Sequence, residues 1–287
     1  MSETIIRLAV PKGRLEPEVT TLLRDVGLDP GRGARSYRPT VSAPDIALKM
    51  FKPQNIPALV GLGSADVGFT GGDWVKESGA DVVEVLDLGF NPVRIVAAAG
   101  RDVNGLSDLK GRRVVVASEY EKITREFMRD QGLEHTFVRS YGATEVFPPE
   151  DADLIVDNVS TGATLASHGL KVLAEVMTST TRFIAAPRAM GDPVRRERIE
   201  GLAGLMRSVL AARERVLLEM NVPADRLDTV VAAAPGMKSP TVSPLFGGDG
   251  FSVKVAVLRS EVPALVPRLK ELGASDILEY TLNKIVI

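Results

Sequence analysis

The stretch Asp157-Asn158-Val159-Ser160-Thr161-Gly162-Ala163-Thr164-Leu165 gathers side chains suited to holding a charged ligand. An apolar run, Leu154-Ile155-Val156, leads into it, so a buried strand should open onto a short polar loop and a helix from about Ala163. A turn of that kind aims several backbone N–H groups at one point, and a helix start adds its dipole. Both favour an anion. Ser160, Thr161 and Thr164 supply hydroxyl donors, Gly162 lets a phosphate come close to the backbone, and Asp157 can accept hydrogen bonds from sugar hydroxyls. The same residues fit a helix merely capped by Ser160 or Thr161 equally well.

Other chemistries lack their residues. Without cysteine there is no disulfide, thiol nucleophile, zinc ribbon or iron–sulfur cluster, and His135 and His168 alone do not make a multi-histidine metal site. Catalysis must then rest on positioning and electrostatics rather than a covalent nucleophile. The 35 basic and 37 acidic side chains nearly cancel, which argues against a nucleic-acid or membrane surface. The start carries Glu3 and is interrupted at Arg7, unlike a secretory signal, and no apolar run approaches a membrane span. A cytoplasmic protein is expected.

Short apolar strands alternate with helical patterns through the first two thirds of the chain. Strands are expected at 5–10, 46–51, 66–69, 93–99, 113–117, 154–157, 171–176 and 182–186, with helices near 15–26, 56–60, 120–129 and from 163. This alternation predicts two lobes of parallel sheet flanked by helices, with a cleft between them. Pro193 opens a long helix whose apolar face includes Leu202, Met206, Val209, Val216, Leu217 and Met220. Strands at 229–234, 252–258, 277–280 and 282–287 and a helix at 262–272 then form a compact βαβ-type module, with a boundary near residue 211.

The loop at 157–165 closely resembles the phosphoribosyl pyrophosphate loop of the ATP phosphoribosyltransferases, which open histidine biosynthesis. The likeness extends along the chain through Leu8-Ala9-Val10-Pro11-Lys12-Gly13-Arg14-Leu15, Gly68-Phe69-Thr70-Gly71-Gly72-Asp73, Leu86-Asp87-Leu88-Gly89-Phe90, Val116-Ala117-Ser118-Glu119-Tyr120 and Gly142-Ala143-Thr144-Glu145. Pro235-Gly236-Met237-Lys238-Ser239-Pro240-Thr241-Val242-Ser243-Pro244-Leu245 resembles the regulatory module of the long-chain members.

The resemblance implies an α/β core of two lobes like type II periplasmic binding proteins, plus an ACT-like α+β C-terminal domain. Lobe I would comprise 1–92 and 179–210, lobe II 93–178, and the regulatory domain 211–287. It implies a glycosyltransferase that joins N1 of ATP to phosphoribosyl pyrophosphate with release of pyrophosphate. The donor would lie on Asp157, Ser160, Thr161, Gly162, Ala163, Thr164 and Leu165, and the nucleotide on Lys12, Arg14, Lys52, Asp73, Trp74, Tyr120 and Glu145. Magnesium would be bound mainly through substrate. Histidine would bind at Asn221, Thr241 and Ser243 as an inhibitor, and the chain would form a dimer or hexamer.

Each nucleotide-side residue also has an ordinary reading: Trp74 and Tyr120 as packed aromatics, Lys12 and Arg14 as a solvated turn. The chain departs from the family at Lys52 and Asn55, where arginine and aspartate are usual, at Asn91, where glycine is common, and at Phe251, where tryptophan is usual. The first two bear on the nucleotide side and leave the donor loop intact. Two alternatives remain: a paralogue with the same chemistry in a purine-like specialised pathway, and a non-catalytic small-molecule sensor.

Overall fold

The computed structural model describes residues 5–31, 37–160 and 162–286. The chain divides into two compact units, Met1–Glu200 and Gly201–Ile287.

The first unit holds two five-stranded sheets. Its first lobe contains β1 (Ile6–Pro11), α1 (Glu16–Asp25), β2 (Ile46–Phe51), α2 (Ile56–Gly61), β3 (Val67–Gly71), α3 (Gly72–Ser78) and β4 (Val83–Asp87). The chain then crosses to β5 (Val93–Gly100), β6 (Val114–Ser118), α4 (Glu121–Asp130), β7 (His135–Arg139), β8 (Leu154–Val159), α5 (Ala163–Ser167) and β9 (Leu170–Ser179). It returns with β10 (Thr181–Ala185), followed by α6 (Pro187–Gly191) and α7 (Pro193–Arg213), which runs on into the second unit after Glu200. The strand orders are β2-β1-β3-β10-β4 and β7-β6-β8-β5-β9, one sheet to each of two lobes.

The expected all-parallel sheets are in fact mixed. β10 runs antiparallel to β3 and β4, and β5 runs antiparallel to β8 and β9. The cause is the crossing itself. A strand arriving from the other lobe starts at the cleft, where its neighbours end, so it must run against them.

β5 shows why these strands read as unbroken apolar runs. Ile95, Ala97 and Ala99 join one core cluster with Tyr120, Ile123 and Phe127, while Val96 and Ala98 join another with Ile155 and Leu165. Both faces are covered, so no polar alternation is needed. The two crossovers are tied together: Leu88 N–H donates to Thr181 O at 2.9 Å, and Thr181 N–H donates to Phe90 O at 3.0 Å. Between them Asn91 sits at φ +52°. Asparagine tolerates this left-handed region better than most side chains, which accounts for its presence where the family commonly has glycine.

The second unit contains β11 (Arg215–Val222), α8 (Leu227–Ala233), β12 (Thr241–Pro244), β13 (Phe251–Leu258), α9 (Val262–Glu271) and β14 (Ser275–Thr281). Its sheet has the order β12-β13-β11-β14 and is antiparallel throughout. Several expectations fail here. Val216, Leu217 and Met220 belong to β11, not to the long helix, because Val216, Leu218, Met220 and Val222 are buried with a period of two. Residues 229–234 lie largely in α8, whose Val230 reaches the core together with Ala234 just past the helix end. Among the described residues, 282–286 form no strand, and β4, β7 and β12 appear where no strand was expected.

Candidate active site

β8 delivers Asp157 to the cleft end of its sheet, because Leu154, Ile155 and Val156 are buried between two core clusters. Beyond it, Gly162 adopts φ +79°, a left-handed conformation that disfavours any side chain. Asp157, Ser160, Gly162, Thr164 and Leu165 line a cavity of about 380 Å³ together with Glu119, Thr144, Glu145 and Asn158. Leu165 is almost wholly buried and serves as floor. Ala163 opens α5, and Thr161 lies outside the described residues. α5 has only five residues, too short for its dipole to contribute much, so the groups this loop offers an anion are hydroxyls and backbone N–H.

No lysine or arginine is among the described residues lining this cavity, whereas three carboxylates are: Glu119, Glu145 and Asp157. The Asp157 carboxyl accepts from Asn158 N–H at 2.7 Å. Burial pushes its pKa up to about 6, hydrogen bonds from Asn158 and Thr144 pull the other way, and the charges of Glu119 and Glu145 raise it further.

A second cavity, about 160 Å³, adjoins the first, sharing Glu119 and Asn158. Arg14, Gln54, Asp73, Trp74, Asn91, Tyr120 and Ser179 line it. Four of the sequence-predicted nucleotide residues therefore meet here: Arg14, Asp73, Trp74 and Tyr120. The other three do not. Glu145 faces the larger cavity, Lys52 is exposed ahead of Pro53, and Lys12 holds its ammonium 3.4 Å from the Tyr37 ring centroid.

Each carboxylate oxygen of Asp73 already accepts a hydrogen bond. Tyr120 Oη donates to its Oδ2 at 2.8 Å and Ser179 Oγ donates to its Oδ1 at 2.7 Å. Asn158 Nδ2 donates to Tyr120 Oη at 3.2 Å. This chain of bonds runs from α3 in the first lobe, through Tyr120, to the residue beside Asp157. Burial, then the Asp73 charge, holds the Tyr120 phenol far above its usual range, so it stays a neutral donor. Trp74 stacks on Tyr120 with centroids 4.4 Å apart.

Sequence reasoning missed several members of the site. Glu119 and Thr144 stood within the quoted motifs and Asn91 within the departures, so a signal existed for them. Ser179 is an isolated serine at a strand end and carried none.

In the second unit, Asn221, Ser252 and Ser243 form a cross-strand row: Asn221 pairs with Ser252, and Ser252 with Ser243. Thr241 lies two residues along β12, opposite Lys254. Asn221 Nδ2 donates to Asp276 Oδ2 at 3.0 Å, a contact the sequence did not suggest.

The sequence model of the family described as ATP phosphoribosyltransferase matches residues 52–208, and that of the HisG C-terminal domain matches 212–284. An ATP phosphoribosyltransferase of Pelotomaculum thermopropionicum is 41% identical over 98% of this chain and 99% of its own length. One from Thermodesulfovibrio yellowstonii is 35% identical, covering all of both chains. Among solved structures, the ATP phosphoribosyl transferase (HisG:HisZ) complex from Thermotoga maritima contains a chain with a TM-score of 0.62 and 26% identity, covering 71% of this chain and 99% of that one.

Proposed function

The chain belongs to the ATP phosphoribosyltransferase family, in its long form with the HisG C-terminal domain, and from that premise we propose how its cleft works. It is an ATP phosphoribosyltransferase acting at the first step of histidine biosynthesis. The expectation of a glycosyltransferase is corrected by the same matches: they name a transferase for a phosphoribosyl group and ATP, not a glycosyltransferase in the conventional sense. The paralogue and sensor alternatives give way to identity that runs along nearly the whole chain.

The larger cavity takes phosphoribosyl pyrophosphate and the smaller one takes the base of ATP. The observation that carries this reading is their contiguity through Glu119 and Asn158. Asp157 accepts from the ribose hydroxyls, while Ser160, Thr161 and Thr164 and the backbone at Gly162 and Ala163 hold the 5-phosphate. A bond forms from adenine N1 to the anomeric carbon as the bond to pyrophosphate breaks, and its electron pair leaves with the pyrophosphate. The carboxylates of Asp157, Glu119 and Glu145 suit the positive charge that develops at that carbon, which the ground-state donor lacks.

The same carboxylates repel a polyanionic donor, so a hard cation bound with the substrate fits the oxygen-rich lining. Magnesium, when bound, neutralises the departing pyrophosphate. Arg14 lies at the mouth of the base cavity, where the triphosphate would emerge; Lys12 and Lys52 serve its outer charges. Pyrophosphate release from the donor, ATP and magnesium tests the whole reading, and no release in folded protein would sink it.

The second unit acts as an ACT-like regulatory domain. Asn221, Thr241 and Ser243 take free histidine along the row of polar side chains, in a cytoplasmic homo-oligomer of dimers or hexamers. No helix among the described residues is long and apolar enough to cross a membrane. Histidine can inhibit only by favouring a less active state, with a coupling of about 1–3 kcal/mol. Thr241→Ala should raise the histidine needed for half-inhibition several-fold at unchanged basal turnover. A parent enzyme indifferent to millimolar histidine would remove the regulatory role.

A further inference from the structure

Helix α4 begins without a cap of its own. The first N–H groups of a helix have no partner inside it, and the residue before the helix usually supplies one from a short polar side chain. Here that residue is Tyr120, whose hydroxyl is turned to Asp73. Glu121, in the first turn, is taken by Arg125 at 3.0 Å and Arg139 at 2.6 Å. The cap comes instead from the other lobe. Lys122 N–H donates to Glu77 Oε1 and Ile123 N–H donates to Glu77 Oε2, both at 3.1 Å. These are the second and third helical positions, the ones a local cap would serve. A carboxylate there also meets the positive end of the helix dipole.

α3 carries the residues for this contact on one face. Asp73, Lys76 and Glu77 are three and four residues apart, so they stand above one another on the helix. Asp73 takes the hydroxyl of Tyr120, Lys76 Nζ lies 3.4 Å from Glu126 Oε2, and Glu77 caps α4. Trp74 packs against the core cluster of the second lobe. The turn capped in this way follows Glu119 and Tyr120, which line the two cavities of the cleft.

Resting on the reading of these cavities as the substrate sites, we propose that Glu77 is a positioning residue for the transfer reaction: from the first lobe it fixes the start of α4 and so sets Glu119 and Tyr120 for both substrates. The second lobe has no cap of its own for this turn, so the two residues are held in place when the lobes are together. Lys76 adds little, because an ion pair between largely exposed partners barely exceeds the cost of ordering them.

Glu77→Ala, Glu77→Gln and Lys76→Ala test this in the full chain. Trp74 is the one tryptophan of the sequence and stacks on Tyr120 across the lobes, so its emission reports the contact directly. Loss of a helix cap shifts an equilibrium about three- to tenfold, and Glu77→Ala should lower kcat/KM for ATP and for phosphoribosyl pyrophosphate alike by that factor. Its Trp74 emission should move to the red and be quenched more strongly by acrylamide, at temperatures where circular dichroism shows the protein folded. Glu77→Gln keeps the length and one acceptor oxygen, so it should fall between Glu77→Ala and the parent in both readouts. Lys76→Ala should match the parent.

A cap with a merely structural role would lower the melting temperature and leave kcat/KM and emission of the folded protein at parental values. That result overturns the inference, as does an equal kinetic loss in Lys76→Ala. If Glu77→Ala does not fold, Glu77→Gln decides alone, and parental kinetics and emission in it overturn the inference. A parent that releases no pyrophosphate with ATP sinks the reading of the cleft and this inference with it. A parent that turns over while both Glu77 variants keep pace sinks this inference only.

Discussion

The two adjoining cavities of the cleft share Glu119 and Asn158 yet are made of opposite materials. The larger is walled by carboxylates, hydroxyls and a loop through the left-handed Gly162. The smaller is walled by a stacked aromatic pair, three amides and an aspartate whose two oxygens each accept a hydrogen bond. Binding in the first is therefore a matter of charge, sensitive to cations and protons. Binding in the second is a matter of shape and hydrogen bonds, and should ignore both.

Removing the divalent cation is the strongest way to separate them. Metal neutralisation of a polyanion in this setting supplies several kcal/mol, so chelation should weaken donor binding about a hundredfold or more. Adenosine, which has no phosphates, should bind equally well with and without magnesium. The comparison breaks if adenosine and donor lose affinity together in calorimetry.

Asp157→Asn sharpens it next. The amide keeps the size of the carboxylate but loses an acceptor for charge-assisted hydrogen bonds, which contribute about 1.5–3 kcal/mol. Donor kcat/KM should fall about tenfold, with little change in KM for ATP. An equal loss for both substrates would mean that Asp157 serves the whole cleft.

Tyr120→Phe probes the bridge between the cavities. It strips Asp73 Oδ2 of its donor in a buried setting and leaves Asn158 Nδ2 with only Asp157 Oδ1 as acceptor. A loss of about 1–3 kcal/mol in stability is expected by denaturant titration. Kinetic loss should be a few-fold and appear for both substrates, because Asn158 stands beside Asp157. A loss confined to ATP would show that the hydrogen-bonded chain transmits nothing to the donor side.

How much of this was legible in the sequence follows the same division. The donor loop could be read because its parts are contiguous: strand, carboxylate, hydroxyls and glycine lie within nine residues. The base cavity could not be assembled, since Arg14, Gln54, Asp73, Asn91, Tyr120 and Ser179 come together only through the crossing of the chain between lobes. The strands of the core were found by apolar runs wherever both faces are covered, as at β5. They were missed where burial is partial, as at β4 and β7, whose residues are exposed or half-buried. In the second unit, Val216-Leu217-Leu218 is apolar at both the helical and the strand period, so only packing against β13 decides it.

The smallest expected effect concerns the like charges around the donor. Asp157 is held near a pKa of about 6 chiefly by burial, with Glu145 among the charges that add to it. An ionised Asp157 is the better acceptor for ribose hydroxyls, so donor kcat/KM should rise with pH through about 6 and then level off. The linked stability runs the other way. The folded state holds the Asp157 proton more tightly than the unfolded chain does, so this residue's contribution to stability falls as pH rises from about 4, the usual aspartate range, to about 6. Glu145→Gln removes one repelling charge and should lower both transitions by a fraction of a unit. Each profile being scaled to its own plateau, the variant should retain a larger fraction of its plateau activity at pH 5 than the parent does. A midpoint that stays put or moves upward in a kcat/KM profile would mean that Glu145 does not sense Asp157 and that burial alone sets its protonation.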